Sequence, residues 1–148
     1  MTPDRPPQRI FFDADALIAG SASTTGASHA ILVLGELGIV EVVVSHQVVT
    51  EAERNISSKL PLALSAFRAI VEHACTVLDS PQPKTTKKFE RQAHPKDVPI
   101  LAAAVTSGCD SLITFNTRDF RPERGTIKIQ TPGDFLTQLR NELEGLAE

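Results

Sequence analysis

Six oxygen-bearing side chains fall where predicted strands end or helices begin. Asp13 and Asp15 follow the apolar run Arg9-Ile-Phe-Phe. Glu51 lies in the helix after a second strand. Asp97 opens a helix. Asn116 and Asp119 follow the segment Ser111-Leu-Ile-Thr-Phe115. In an open parallel sheet, ligands bind beyond the carboxyl ends of the strands, near the point where strand order reverses, so acids distant in sequence can converge there. Converging carboxylates repel one another and resist ionising together. A hard divalent cation relieves this: Mg²⁺ takes oxygen ligands, keeps several waters and needs only one or two carboxylates directly, and Mn²⁺ suits the same donors. Such a centre activates water and neutralises charge on a phosphodiester, so the chemistry suggested is metal-assisted phosphodiester hydrolysis. Each acid also has a plainer reading: Asp97 as a helix cap, Glu51 as a solvated surface residue, Asp119 as a turn residue. Asp13, directly after a buried strand, has the fewest.

The elements that must position these groups are legible as hydrophobic runs. Arg9 to Asp13, Val40 to Val44 and Ser111 to Phe115 read as buried strands, Thr76 to Leu78 as a short one, and Thr126 to Gln130 as an edge strand. Helices are expected over Ala30 to Leu37, from Ser45 as N-cap to Lys59, from Pro61 to Ala74, over Val98 to Val105, and from Thr131-Pro132 onward. Gly20 to Ser28 reads as a loop, and Ser80 to Pro95 as mostly loop with one helical turn. This order predicts an α/β fold with a mostly parallel sheet. Residues 1–8 are expected to be a flexible segment, and residues 9–148 one domain.

Composition narrows the function classes. The 148 residues are 41% apolar and 22% charged, ordinary for a folded domain. Net charge is −3, so nucleic-acid contact needs a local basic patch. Seven Phe with no Trp or Tyr argue against coating a single strand by serial stacking. Two cysteines, Cys75 and Cys109, support neither a disulfide framework nor a four-cysteine zinc site. His29, His46, His73 and His94 lack metal-binding spacing, although His94 sits beside a basic cluster. Gly20 to Gly26 lacks the Gly-Lys-Ser/Thr ending of a phosphate loop. The first nine residues have no apolar core of a signal peptide, and no apolar run is long enough to span a membrane, so a reducing cytoplasm is expected.

Several segments together resemble the PIN domain family. Ile-Phe-Phe-Asp13-Ala-Asp15-Ala-Leu-Ile resembles its opening, with Asp15 where Asn, Ser or Thr is commoner. Val-Val-Thr-Glu51-Ala resembles the segment of the second acid, and Lys96-Asp97-Val-Pro-Ile-Leu-Ala-Ala-Ala that of the third. Gly108-Cys-Asp-Ser-Leu-Ile-Thr114-Phe-Asn116-Thr-Arg-Asp119-Phe120 resembles the closing motif, and Thr131-Pro-Gly-Asp-Phe135-Leu the start of the last helix. The resemblance spans about Ile10 to Leu139. It implies a three-layer α/β/α fold with about five strands. It implies an Mg²⁺- or Mn²⁺-dependent endoribonuclease that leaves 5′-phosphates. It also implies a VapC-like toxin with a small antitoxin partner, and homodimers. Asp13, Glu51 and Asp97 match the three principal acids. Asn116 holds a slot that is often Asp, and Asp119, three residues on, is the other candidate for the fourth. The roles so implied are metal binding for Asp13, Asp97 and Asp119, water orientation for Glu51 and Asp119, bracing of the acids for Thr114 and Asn116, and an accessory place for Asp15.

An acidic pocket repels RNA, so a basic rim must compensate. Lys84, Lys87, Lys88, Arg91 and Lys96 precede Asp97, and Arg118, Arg121 and Arg124 surround Asp119. A solvated loop is the plainer reading of the first group. Two further functions fit some residues. Asp13-Ala-Asp15 also resembles the start of haloacid-dehalogenase-type phosphatases, whose later Lys would here be Lys128 and whose acidic pair would reduce to Asp134. A catalytically weak RNA- or protein-interaction module is the other, with the helix Pro61 to Ala74 as a partner face.

Overall fold

The computed structural model describes residues 6–147. Residues 1–5 of the expected flexible segment lie outside the described residues, and the first strand begins at Gln8. Five parallel strands form one sheet: β1 (Gln8–Phe12), β2 (Val40–Ser45), β3 (Cys75–Leu78), β4 (Ser111–Ile113) and β5 (Lys128–Gln130), in the order β3-β2-β1-β4-β5. The helices are α1 (Ala14–Ala22), α2 (Ala27–Glu36), α3 (His46–Lys59), α4 (Leu64–Ala74), α5 (Pro83–Thr86), α6 (Val98–Thr106) and α7 (Pro132–Ala147). The α/β architecture with about five parallel strands is as the sequence predicts.

Central strands covered on both faces read as continuous apolar runs, because neither face meets water. Ile10, Phe11 and Phe12 are fully buried, as are Val43, Val44, Leu112 and Ile113 on the flanking strands. The α6 helix is lined by Leu101, Ala102 and Ala104, small or apolar residues that let it lie close to the sheet. Gly38 and Gly108, at φ +78° and +77°, turn the chain out of α2 and α6 in a conformation that favours glycine.

One predicted loop is corrected. Gly20 to Ser28 is not a nine-residue loop, since α1 runs to Ala22 and α2 starts at Ala27. Ser, Thr and Gly in the segment suggest irregular chain. Yet Ser21 returns its hydroxyl to the Leu17 carbonyl at 2.8 Å, and Gly20 sits where α2 crosses closely. Tertiary burial outweighs local preference there. On α4, Phe67 is buried and Ile70 and Val71 pack against the core, while Leu62 in the turn before it is fully exposed.

Candidate active site

Strand order reverses between β1 and β4, which opens a crevice at their carboxyl ends. Asp13 follows β1 on one side and Thr114 follows β4 on the other. The Asp13 backbone N–H donates to Ile113 O at 3.0 Å, extending the ladder past β1. Asp13 is buried, and its carboxylate accepts two bonds: from Ala14 N at 2.8 Å, which caps α1, and from Thr114 Oγ1 at 2.8 Å. Thr114 is itself fully buried and accepts from Asn116 N at 3.0 Å.

Asp15 is tied to the same loop. Its Oδ2 accepts from Phe115 N at 3.1 Å and from Asn116 Nδ2 at 3.0 Å. Asn116 therefore braces a carboxylate through its side-chain amide.

Asp97 and Asp119 arrive from two other segments. Residues 92–94 and 119–121 lie side by side through an antiparallel bridge between Ala93 and Phe120. His94 N donates to Asp119 O at 2.8 Å and Arg121 N to Gln92 O at 2.6 Å. The Asp97 backbone N–H donates to His94 O at 2.7 Å. Asp97 sits at the start of α6 but its side chain makes no capping bond, so the plain reading as a helix cap does not hold. It is buried, and among the described residues its carboxylate accepts no hydrogen bond and forms no ion pair.

The electrostatics join these acids into one cluster. Burial pushes Asp13 up from the ordinary carboxylate range. The Asp119 charge adds to this, and the bonds from Thr114 and Ala14 with the Lys96 charge oppose it. Burial and then the charges of Asp13 and Asp119 push Asp97 up to about 6, against Lys96 and His94. Burial and then Asp13 push Asp15 up to about 6. Asp13, Asp97 and Asp119 thus feel one another across a sequence separation of about a hundred residues.

Glu51 is exposed on α3 and does not join that cluster directly. It shares an open groove of about 580 Å³ with Asp97, Lys96 and Arg54. Arg54 is a groove residue that the sequence reading missed; its signal is its place three residues after Glu51, on the same side of a helix. Lys87 and Arg91 line a second groove with Pro95 and Val98, just across the Pro95–Asp97 turn. The bridge at Ala93 and Phe120 sets Arg91 beside the loop of Arg118 and Arg121. Lys84 and Lys88 are exposed on the segment before it. Lys96 is the one predicted basic residue whose charge acts on both Asp13 and Asp97.

The donor set fits a hard cation. Asp13 keeps lone pairs on both oxygens after accepting two bonds, and Asp97 has all of its own unengaged. Among the described residues no three acidic, His or Cys side chains close on a single point as a ready-made cage. Mg²⁺ binds in that way, through one or two carboxylates and several waters.

A protein-family model described as PIN domain matches residues 9–118. The fold is similar to PAE2754 from Pyrobaculum aerophilum, with TM-score 0.64 and 16% identity over 90% of this chain and 96% of that one. It is also similar to VapBC2 from Rickettsia felis, solved bound to a DNA fragment from its promoter, with TM-score 0.62 and 12% identity over 84% of this chain and 98% of that one. No curated protein sequence matches the chain.

Proposed function

The chain belongs to the PIN domain family, and on that premise we propose that it is a divalent-metal-dependent endoribonuclease, the toxin of a toxin–antitoxin pair. The observation that carries this reading is that Asp13 and Asp97 are both buried at the crevice beyond the carboxyl ends of β1 and β4, with the Asp97 carboxylate left without a hydrogen-bond donor among the described residues. Lys96 is the basic residue whose charge opposes theirs at both Asp13 and Asp97.

Asp13 and Asp97, with Asp119 through water, would hold Mg²⁺ or Mn²⁺, which when bound supplies an activated water and offsets charge building on the phosphate. The Thr114 hydroxyl donates to Asp13 Oδ2, which favours the ionised form against burial and fixes the carboxylate's orientation. Asp15, Asn116 and the Phe115 N–H lock the loop that carries Thr114. Glu51, which lines the same groove as Asp97, would orient the water and accept its proton. Lys96 offsets the repulsion between these acids and a phosphate. Lys84, Lys87, Lys88, Arg91, Arg118 and Arg121 form the rim that draws in RNA.

The antitoxin assignment follows the likeness to VapBC2 and is supported by an apolar groove between α2 and α7, lined by Leu34, Leu136, Leu139 and Leu143. A homodimer is proposed on the family premise. The reading places the protein in the cytoplasm, in keeping with two free cysteines. Among the described residues no single helix is long and apolar enough to cross a membrane. The phosphatase alternative loses its lysine: Lys128 pairs with Ser111, at the amino ends of β5 and β4, away from Asp13.

The test is cleavage of structured and unpaired RNAs by wild type, Asp13→Asn and Asp97→Asn, in Mg²⁺, in Mn²⁺ and in EDTA. Metal-dependent cutting lost in both folded variants is expected. Folded wild type that neither cuts RNA nor binds a divalent ion in calorimetry overturns the nuclease and leaves the interaction module.

A further inference from the structure

Phe115 is placed unlike the other phenylalanines. Five of the seven are buried, Phe89 is half-buried, and Phe115 is 53% exposed. Its backbone is nevertheless pinned. Its own N–H donates to Asp15 Oδ2 at 3.1 Å, and its neighbours Thr114 and Asn116 donate to Asp13 and Asp15. The residue that carries the ring is therefore anchored directly beside Asp15, in the loop that holds Asp13. The same loop carries Arg118 and Arg121, which, among the described residues, have no ion-pair partner.

A phenyl ring on a pinned backbone beside a phosphodiester-binding centre, with free guanidinium groups nearby, matches the chemistry of a nucleotide: a flat π-face attached to an anionic backbone. We propose that Phe115 stacks on one unpaired RNA base next to the phosphate bound at the acids. The inference rests on the nuclease reading above. A phenyl ring offers no hydrogen bond, so it selects for an unpaired base, not for base identity. In a duplex both faces of each base are already covered by its neighbours. One platform also agrees with a chain too poor in aromatics to coat a strand.

The test uses the full chain carrying Asp97→Asn, so that bound RNA is not cut. Fluorescence anisotropy measures binding of a short labelled unpaired RNA oligonucleotide, with Phe115 intact or changed to Ala, Leu or Trp. A second series moves a single abasic ribose along the oligonucleotide. Phe115→Ala is expected to weaken binding by about 5- to 150-fold, the range of one base–aromatic stack. Trp should bind at least as tightly as Phe, and Leu less tightly. One abasic position should remove the difference between Phe and Ala. Equal binding by Phe and Ala, or a loss that no abasic position removes, overturns the stacking role and leaves the nuclease standing. Wild-type protein that neither cuts nor binds the oligonucleotide while remaining folded by circular dichroism overturns both.

Discussion

Replacing Asp97 by Asn should make the metal-free protein more stable while abolishing its activity. Asp97 is buried beside Asp13 and Asp119 and lacks a hydrogen-bond donor, and its carboxyl is pushed from 3.8 to about 6. At about 1.4 kcal/mol per tenfold, that corresponds to about 3 kcal/mol working against the ionised form in the folded state. Asp97 opens onto a groove where solvent screens part of this, so a net gain of about 1–2 kcal/mol for Asn is expected. The sign follows from linkage. With a folded-state pKa above the unfolded one, Asp97 contributes stability below about pH 4 that is lost as pH rises through about 6. The Asn variant lacks this loss. Urea unfolding in EDTA should therefore show the variant ahead at about pH 7.5 and level with wild type at about pH 3. Saturating Mg²⁺ should stabilise wild type and close the gap, since an ion bound only by the folded state adds about 2.7 kcal/mol at a hundredfold excess over its Kd. A variant less stable than wild type at the higher pH, or a gain that persists undiminished at the lower, would refute the picture of a carboxylate disfavoured by burial and by its acidic neighbours.

Three further outcomes can be checked independently. Thr114→Val keeps the shape but removes the donor to Asp13 Oδ2; chemical denaturation should show a loss of about 1.5–3 kcal/mol at neutral pH. It should also move the acid limb of the activity profile upward, because Asp13 loses a bond that favours its charge, and Thr114→Ser should restore both. Removing Lys87 and Arg91 should weaken RNA binding and flatten the salt dependence by about 0.7 in slope for each phosphate no longer neutralised; weaker binding at an unchanged slope would exclude a phosphate-binding role for the pair. Gly20→Ala would drive a Cβ into Leu32 Cδ1 and to 3.2 Å from the Ser28 carbonyl carbon. Thermal melting should show a loss of about 1–3 kcal/mol from separating α1 and α2.

Most strands and the later helices can be read from hydrophobic runs, because buried parallel strands need continuous apolar residues and helices announce their caps. Ser45 behaves as its type predicts, accepting from Val48 N at 3.3 Å. The stretch Gly20 to Ser28 resembles a loop in sequence because its small residues serve a helix crossing, and a contact between helices leaves no local signal.

Residue types and spacing alone determined that Asp13 follows a buried strand, that Asp97 begins a helix and that Asp119 follows another strand. Each position is a property of its own segment, set by local periodicity and by the alternation of strands with helices. Only the tertiary structure decided that three of these carboxylates share one field. Strand order placed β1 beside β4, and the bridge between Ala93 and Phe120 brought the segments of Asp97 and Asp119 together. It also decided that Asp97 leaves its helix uncapped, that Asn116 braces Asp15, and that Phe115 stays in solvent. Charge coupling and hydrogen bonding depend on distance through space, and distance between remote segments exists only once the chain has folded.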